Sequence, residues 1–256
     1  MEPIIDGQLW LVLLAVSFIA GYIDAVAGGG GMLTVPALLT SGLPPHIALG
    51  TNKLAASFGS FTASVTFYRQ RLFDPIFWRH AIVFTAIGAC IGTLVIDSLD
   101  TAILDKIIPV VISISAIYML FSKTAIDSEH GLPTNDRKNK IKQAVQGFTL
   151  GAYDGFAGPG TGAFWTATST AIYRMNLLLS AGLARSTNFI SNFVSLLTFI
   201  YLGHVNFLLG LAMGLFIMMG SWLGARSAIK YGGKFIRPVF IIIALGMSIN
   251  LAIQAW

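Results

Sequence analysis

Polar residues in this chain gather into short stretches between long apolar runs. Six runs are long enough for a full membrane span of about 20 residues: roughly 46–68, 76–97, 103–122, 177–202, 205–225 and 238–256. Two further stretches, 8–42 and 142–173, are longer and are interrupted by glycine near their middles. One segment, 123–141, is polar, contains Pro and Gly, and divides the chain near its midpoint, as a linker would.

Composition turns this pattern into a class. The chain is 256 residues long, 55% hydrophobic and 11% charged, with a mean hydropathy of +0.76. Soluble domains carry about 25% charged residues, so most of the surface must be solvated by lipid. The pattern predicts an all-α polytopic membrane protein with no soluble catalytic domain. A net charge of +5 could suggest a nucleic-acid partner, but the basic residues sit in short loops, with no basic helix or aromatic–basic stripe. The single cysteine, Cys90, excludes an internal disulfide and a Cys-rich metal site. No cofactor is expected. Glu2 and Asp6 precede the first apolar run, where a cleaved signal would carry basic residues, so that run is expected to remain as structure.

Lys and Arg placement sets the orientation. Thirteen of the sixteen basic residues fall on one side, assigned as cytoplasmic: Arg69, Arg71 and Arg79, the group from Lys123 to Lys142, Arg174, and the group from Arg226 to Arg237. Lys106 falls on the other side with Asp97, Asp100 and Asp105, while Lys53 and Arg185 lie inside apolar runs. Each glycine-broken stretch must then begin and end on one side, as a hairpin of two short helices, with three spans after it. An odd number of crossings per half inverts the second half. The predicted plan is repeat 1 over 1–122, a cytoplasmic linker over 123–141 and inverted repeat 2 over 142–256, with both chain ends extracytoplasmic.

The halves also match residue by residue. Gly21, Asp24, Ala27, Gly28 and Gly30 correspond to Gly151, Asp154, Ala157, Gly158 and Gly160 at an offset of 130. Thr51 and Asn52 correspond to Thr187 and Asn188, and Gly88 and Gly92 to Gly220 and Gly224. Inverted repeats are common in secondary transporters, whose sites lie at the repeat interface in discontinuous helices. The duplicated Gly-x-x-Asp-x-x-Ala-Gly-x-Gly hairpin, the following Thr-Asn and the four-segment plan resemble the sulfite exporter TauE/SafE family over nearly the whole chain. The resemblance implies transport of anions, often sulfite or organosulfonates, across the bacterial inner membrane.

Several residues could carry that chemistry. Gly28, Gly29, Gly30 and Gly31, and Gly158, Gly160 and Gly162 around Pro159, should unwind the chain and expose backbone N–H and C=O groups. Unwound backbone at membrane depth is tolerated only against protein or a water-filled cavity. The half-helices that restart there would aim their positive ends at it, forming an anion site. Gly88, Gly92, Gly220 and Gly224 are read instead as helix-packing positions. Lys53 and Arg185, each about eight residues into a span, are costly intramembrane cations suited to an anionic substrate, or else to pairing with Asp24 and Asp154. Arg185, Asn188, Asn192 and Ser195 share one helix face; Lys53, Ser57, Ser60 and Ser64 share another, next to Asn52. Asp24 and Asp154 could carry a coupling proton or be fixed by the unwound backbone.

The expected function is a secondary transporter of small anions, working by alternating access, with a homo-oligomer compatible with the plan. An anion channel would have the same architecture. An intramembrane aspartyl hydrolase would use the same two carboxylates, but duplication accounts for that pair without catalysis, so no enzyme is expected.

Overall fold

The computed structural model describes residues 7–121 and 131–232. Among these residues the protein is entirely helical, in the order α1 (Gly7–Ala27), α2 (Gly31–Thr40), α3 (Pro45–Arg69), α4 (Arg79–Asp97), α5 (Thr101–Phe121), α6 (Arg137–Phe156), α7 (Thr161–Tyr173), α8 (Leu177–Tyr201) and α9 (Phe207–Tyr231). The expected span over 238–256 and the chain ends lie outside the described residues. Local chemistry sets the starts. Pro45 opens α3 at its first turn, where a missing N–H costs nothing. The Asn176 and Asn206 side chains accept the N–H groups of Leu179 (2.8 Å) and Leu209 (3.0 Å) to cap α8 and α9.

Two boundaries differ from the sequence reading. Helix α6 starts at Arg137, inside the expected linker, because Asp136 caps it. The Asp136 carboxylate accepts the Asn139 N–H at 2.7 Å and the Thr134 hydroxyl at 2.8 Å. These bonds hold its carboxyl below the usual carboxylate range. The glycine-broken stretches are also not pairs of short helices. Each joins one long helix, α1 of 21 residues or α6 of 20, to one short one, α2 of 10 or α7 of 13. The long arm is continuous because no glycine run or proline interrupts it before the break.

By length and hydropathy, α1, α4 and α9 could cross a membrane. Helices α3 and α8, at 25 residues each, reach roughly 37 Å at about 1.5 Å per residue. They are less apolar because they pack on each other and turn polar residues inward: Asn52, Lys53, Arg185, Asn188 and Asn192 are all buried. Ser57 and Ser60 point back to their own helix, bonding Lys53 O and Ala56 O. Leu94, Leu211 and Leu215, by contrast, are exposed, as a lipid-facing shell requires.

Glycine seams bind the outer helices to the rest. Gly147, Gly151 and Gly155 of α6 lie directly against the backbone of Ala81, Thr85 and Ala89 of α4, and Gly88 and Gly92 of α4 lie against Phe148 and Ala152 of α6. Gly220 and Gly224 of α9 sit in the same way on Phe18 and Tyr22 of α1, with Gly21 returning the contact to Ile217. Such small-residue contacts are how helices approach closely in lipid. Two hydroxyls cross the seams: Thr93 to Gly155 O at 3.2 Å and Ser221 to Gly21 O at 3.0 Å.

Replacing Gly151 by Leu drives a side chain into the Thr85 backbone. Thermal unfolding in detergent should show destabilisation toward the upper end of the about 1–3 kcal/mol typical of overpacking, whereas Leu94→Ala on the exposed face should leave the midpoint nearly unchanged.

Candidate functional site

The chain breaks twice, and the breaks lie against each other. After α1, Gly28 turns the backbone with φ +86° and returns its N–H to Asp24 O at 2.9 Å. After α6, Gly158 and Gly160 take φ +89° and +82°, conformations that L side chains rarely adopt. The Tyr153 hydroxyl braces this second break, donating to Pro159 O at 2.6 Å and lying 2.6 Å from the Ser115 hydroxyl. Between the breaks, the Ala163 N–H donates to Gly28 O at 3.2 Å. A Cβ at Gly28 or Gly162 would strike the opposing backbone, so glycine is required at both for approach, and at Gly28 for its φ as well.

A small polar cavity opens beside this contact, with about 30 Å³ of free volume, comparable to one water molecule's share of the liquid. Its wall includes Gly28, Gly30, Gly31, Gly158, Gly160 and Gly162 from the breaks, and Asn52, Lys53, Asn188 and Asn192 from α3 and α8. Asp24 and Asp154 complete it. The N–H groups of Gly31, Gly160 and Gly162 have no hydrogen-bond partner among the described residues, and they stand at the first turns of α2 and α7, where a helix presents its positive end.

The carboxylates are held differently. Asp154 accepts from Lys53 Nζ at 3.0 Å, from the Thr161 hydroxyl at 3.0 Å and from the Ser191 hydroxyl. Lys53 Nζ also donates to Asp154 O at 2.6 Å and to Asn192 Oδ1 at 3.2 Å, so its three donors are all engaged. Asp24 accepts the Gly30 N–H at 3.1 Å and the Asn188 amide at 3.5 Å, and no cation among the described residues pairs with it at salt-bridge distance. Asn52 Oδ1 accepts the Thr34 hydroxyl at 2.6 Å.

Arg185 is fully buried. Its Nε donates to Ala25 O at 3.1 Å and its Nη2 to Val26 O at 3.5 Å, closing the carbonyl end of α1. Nη1 is buried with no partner among the described residues and sits against Gly28 and Gly162. The two intramembrane cations are therefore placed differently. Arg185 does not border the cavity but lies behind its glycine wall. The cavity is also not simply cationic, because Lys53 faces Asp154 directly. Both result from the unwound carbonyls, which draw the cations to the helix ends.

Of the residues singled out from sequence, the cavity gathers Asp24, Gly28, Gly30, Gly31, Asn52, Lys53, Asp154, Gly158, Gly160, Asn188 and Asn192; Gly29 and Arg185 are adjacent but do not line it. Sequence reasoning missed Thr34, Thr161 and Ser191. The first two had a usable signal, a hydroxyl just after each break. Ser191 also had one, standing three residues after Asn188 and four before Ser195 on the same helix face, though its contact with Asp154 comes only through tertiary packing.

A helical shell with exposed apolar side chains, enclosing a polar cavity between two broken helices, defines a membrane protein of the transport type. The chain belongs to the sulfite exporter TauE/SafE family, whose model matches residues 13–251. It is 36% identical over 254 residues to a probable membrane transporter protein of Haemophilus influenzae, covering 97% of each chain. It is 34% identical to the probable membrane transporter protein YfcA of Escherichia coli K12, covering 98% of this chain and 91% of that one. A shorter match, 38% over 64 residues and 25% of this chain, is to a sulfite exporter TauE/SafE family protein 5 of Arabidopsis thaliana. No solved structure gives a significant match.

Lys53 and Asp154, each with 2% of its side chain exposed, should behave as a buried ion pair. Lys53→Met alone should cost about 3–5 kcal/mol by stranding the carboxylate. The double variant Lys53→Met, Asp154→Leu should recover much of that loss in a double-mutant cycle of unfolding midpoints.

Proposed function

We propose that this protein is a secondary transporter of small anions, of the sulfite or sulfonate kind, in the bacterial inner membrane. One observation carries the reading. The first turns of α2 and α7, with the backbone N–H groups of Gly31, Gly160 and Gly162, meet at one cavity between two helix breaks. Such a set recognises an oxyanion through the positive ends of helices, and the Arg185 charge behind the glycine wall adds to the positive potential there. The sulfite in the family's name is consistent with that ligand chemistry.

Alternating access between two inverted repeats, 1–122 and 142–256, accounts best for the rest. Helix α1 of the first half packs on α9 of the second, and α6 of the second packs on α4 of the first, the exchange expected of halves related by a twofold axis. The positive-inside bias puts 123–141 in the cytoplasm. The cavity, at about 30 Å³, is far below the about 300–1,000 Å³ of small-molecule sites, and opening to admit a substrate is the behaviour of a carrier rather than of a channel. Asp24, lacking a salt-bridged cation, is the better candidate of the two carboxylates for a coupling proton, since Asp154 is tied to Lys53. That asymmetry also argues against a hydrolase, whose two carboxylates would share a proton.

In proteoliposomes, sulfite flux should saturate and follow an imposed gradient; flux linear in concentration would indicate a channel. Arg185→Gln keeps a hydrogen-bonding side chain but removes the charge. Anion affinity should fall, because the charge acts on the cavity through the glycine wall, while the variant still folds. Unchanged affinity in a folded variant would make Arg185 structural and leave recognition to the helix ends. Reporter fusions should place residues 123–141 in the cytoplasm and Trp256 outside. A cytoplasmic Trp256 would overturn the inverted plan.

A further inference from the structure

Between α3 and α9, away from the cavity, lies a groove that the transport reading does not use. Its volume is about 660 Å³, within the range of about 300–1,000 Å³ typical of small-molecule sites. Arg69, Arg226 and Lys230 line it near the ends of the two helices, and all three are exposed. Neither α3 nor α9 contains an Asp or Glu, and none of the three cations is ion-paired with a carboxylate among the described residues. The groove joins a second, apolar hollow of about 380 Å³ through the shared residues Thr62 and Trp222. That hollow is walled by Phe18, Met218, Met219 and Leu223.

We propose that this composite groove binds an anionic phospholipid, with its phosphate among Arg69, Arg226 and Lys230 and an acyl chain along the apolar hollow. The argument rests on the bilayer setting of the protein and not on the transported substrate. Cations that merely snorkel reach water one at a time; here three side chains from two helices face one recess. Arg226 lies 3.9 Å over the Trp222 ring, and this holds the guanidinium at the junction of the charged and apolar compartments. Trp222 itself is 43% exposed, a common arrangement for Trp at the level of lipid headgroups. The two compartments run in the order of a phospholipid, charge first and hydrocarbon next. A free anion would have no use for the second compartment, and an uncharged lipid none for the first. Basic recesses between helices on the cytoplasmic side bind anionic headgroups by this chemistry.

The experiment measures binding of phosphatidylglycerol and phosphatidylcholine, with the same acyl chains, to the purified full-length protein by native mass spectrometry and by thermal shift in detergent. Phosphatidylglycerol should bind selectively and raise the unfolding midpoint, and glycerol phosphate without chains should not substitute for it. Arg69→Gln, Arg226→Gln and Lys230→Gln should each weaken binding about fivefold, and the triple variant should lose the preference. Arg226→Lys, which keeps the charge, should retain most of it. All three positions are exposed, so folding should be unaffected, and the unshifted midpoint in phosphatidylcholine checks this. Equal binding of the two lipids, selectivity surviving in the triple variant, or full competition by glycerol phosphate would overturn the proposal. So would a crosslink from a cysteine at Thr66, in a Cys90→Ser background, to residues 233–256 or to a second copy of the chain in native membranes, because the groove would then be occupied by protein.

Discussion

A helix interrupted inside an apolar shell leaves N–H and C=O groups that water cannot reach, and each needs a partner from the protein. This chain interrupts two helices and sets the interruptions face to face, so that part of each is satisfied by the other. Gly28 and Gly162 are glycine because the two backbones touch there. The cations follow from the same constraint. Lys53, on the first half, reaches the Asp154 carbonyl at the end of α6; Arg185, on the second half, reaches the Ala25 carbonyl at the end of α1. Each negative helix end is closed by a cation from the opposite half, and the positive ends of α2 and α7 stay open. On the proposed reading of the site, its preference for negative charge would arise from which helix ends are sealed, more than from a surplus of cationic side chains.

The buried polar groups around the cavity form one connected system. Asp154 ties α6, α7, α3 and α8 through its own bonds to Thr161, Lys53 and Ser191. Asp24 is held more loosely, by one backbone N–H and one long amide contact. Two residues at matched positions in the chain therefore sit in unequal surroundings. The backbone shares the asymmetry: Gly28 and Gly158 both take positive φ, but Gly30 is helical at φ −56° where its counterpart Gly160 is at +82°.

Much of the fold could be read from the sequence, because lipid imposes a simple rule on it. Long apolar runs mark α3, α4, α5, α8 and α9 within a few residues, and the small residues at Gly88, Gly92, Gly220 and Gly224 mark packing seams that the structure places against neighbouring backbone. The breaks were legible too, since four successive glycines cannot continue a helix comfortably. The start of α6 was missed because a polar stretch reads as a linker even where an Asp cap begins a helix inside it. Pairing of the cations with Asp24 and Asp154 was one of the alternatives the sequence offered. That, among the described residues, Lys53 alone forms such a pair, with Asp154, and that Arg185 withdraws behind the glycine wall were not legible. Each depends on where one half comes to rest on the other, and hydropathy carries no information about that.

The seams also impose an order on the birth of the molecule. Helix α1 leaves the ribosome first, yet the surface it is built to meet belongs to α9, which begins roughly 180 residues later; at synthesis rates of about 5–20 residues per second the delay is on the order of ten to forty seconds. Throughout that interval the nascent chain holds Ser17 and Gly21, buried in the finished protein, on a face whose α9 partner does not yet exist. Lipid or an insertion chaperone must occupy that face until α9 arrives to displace it.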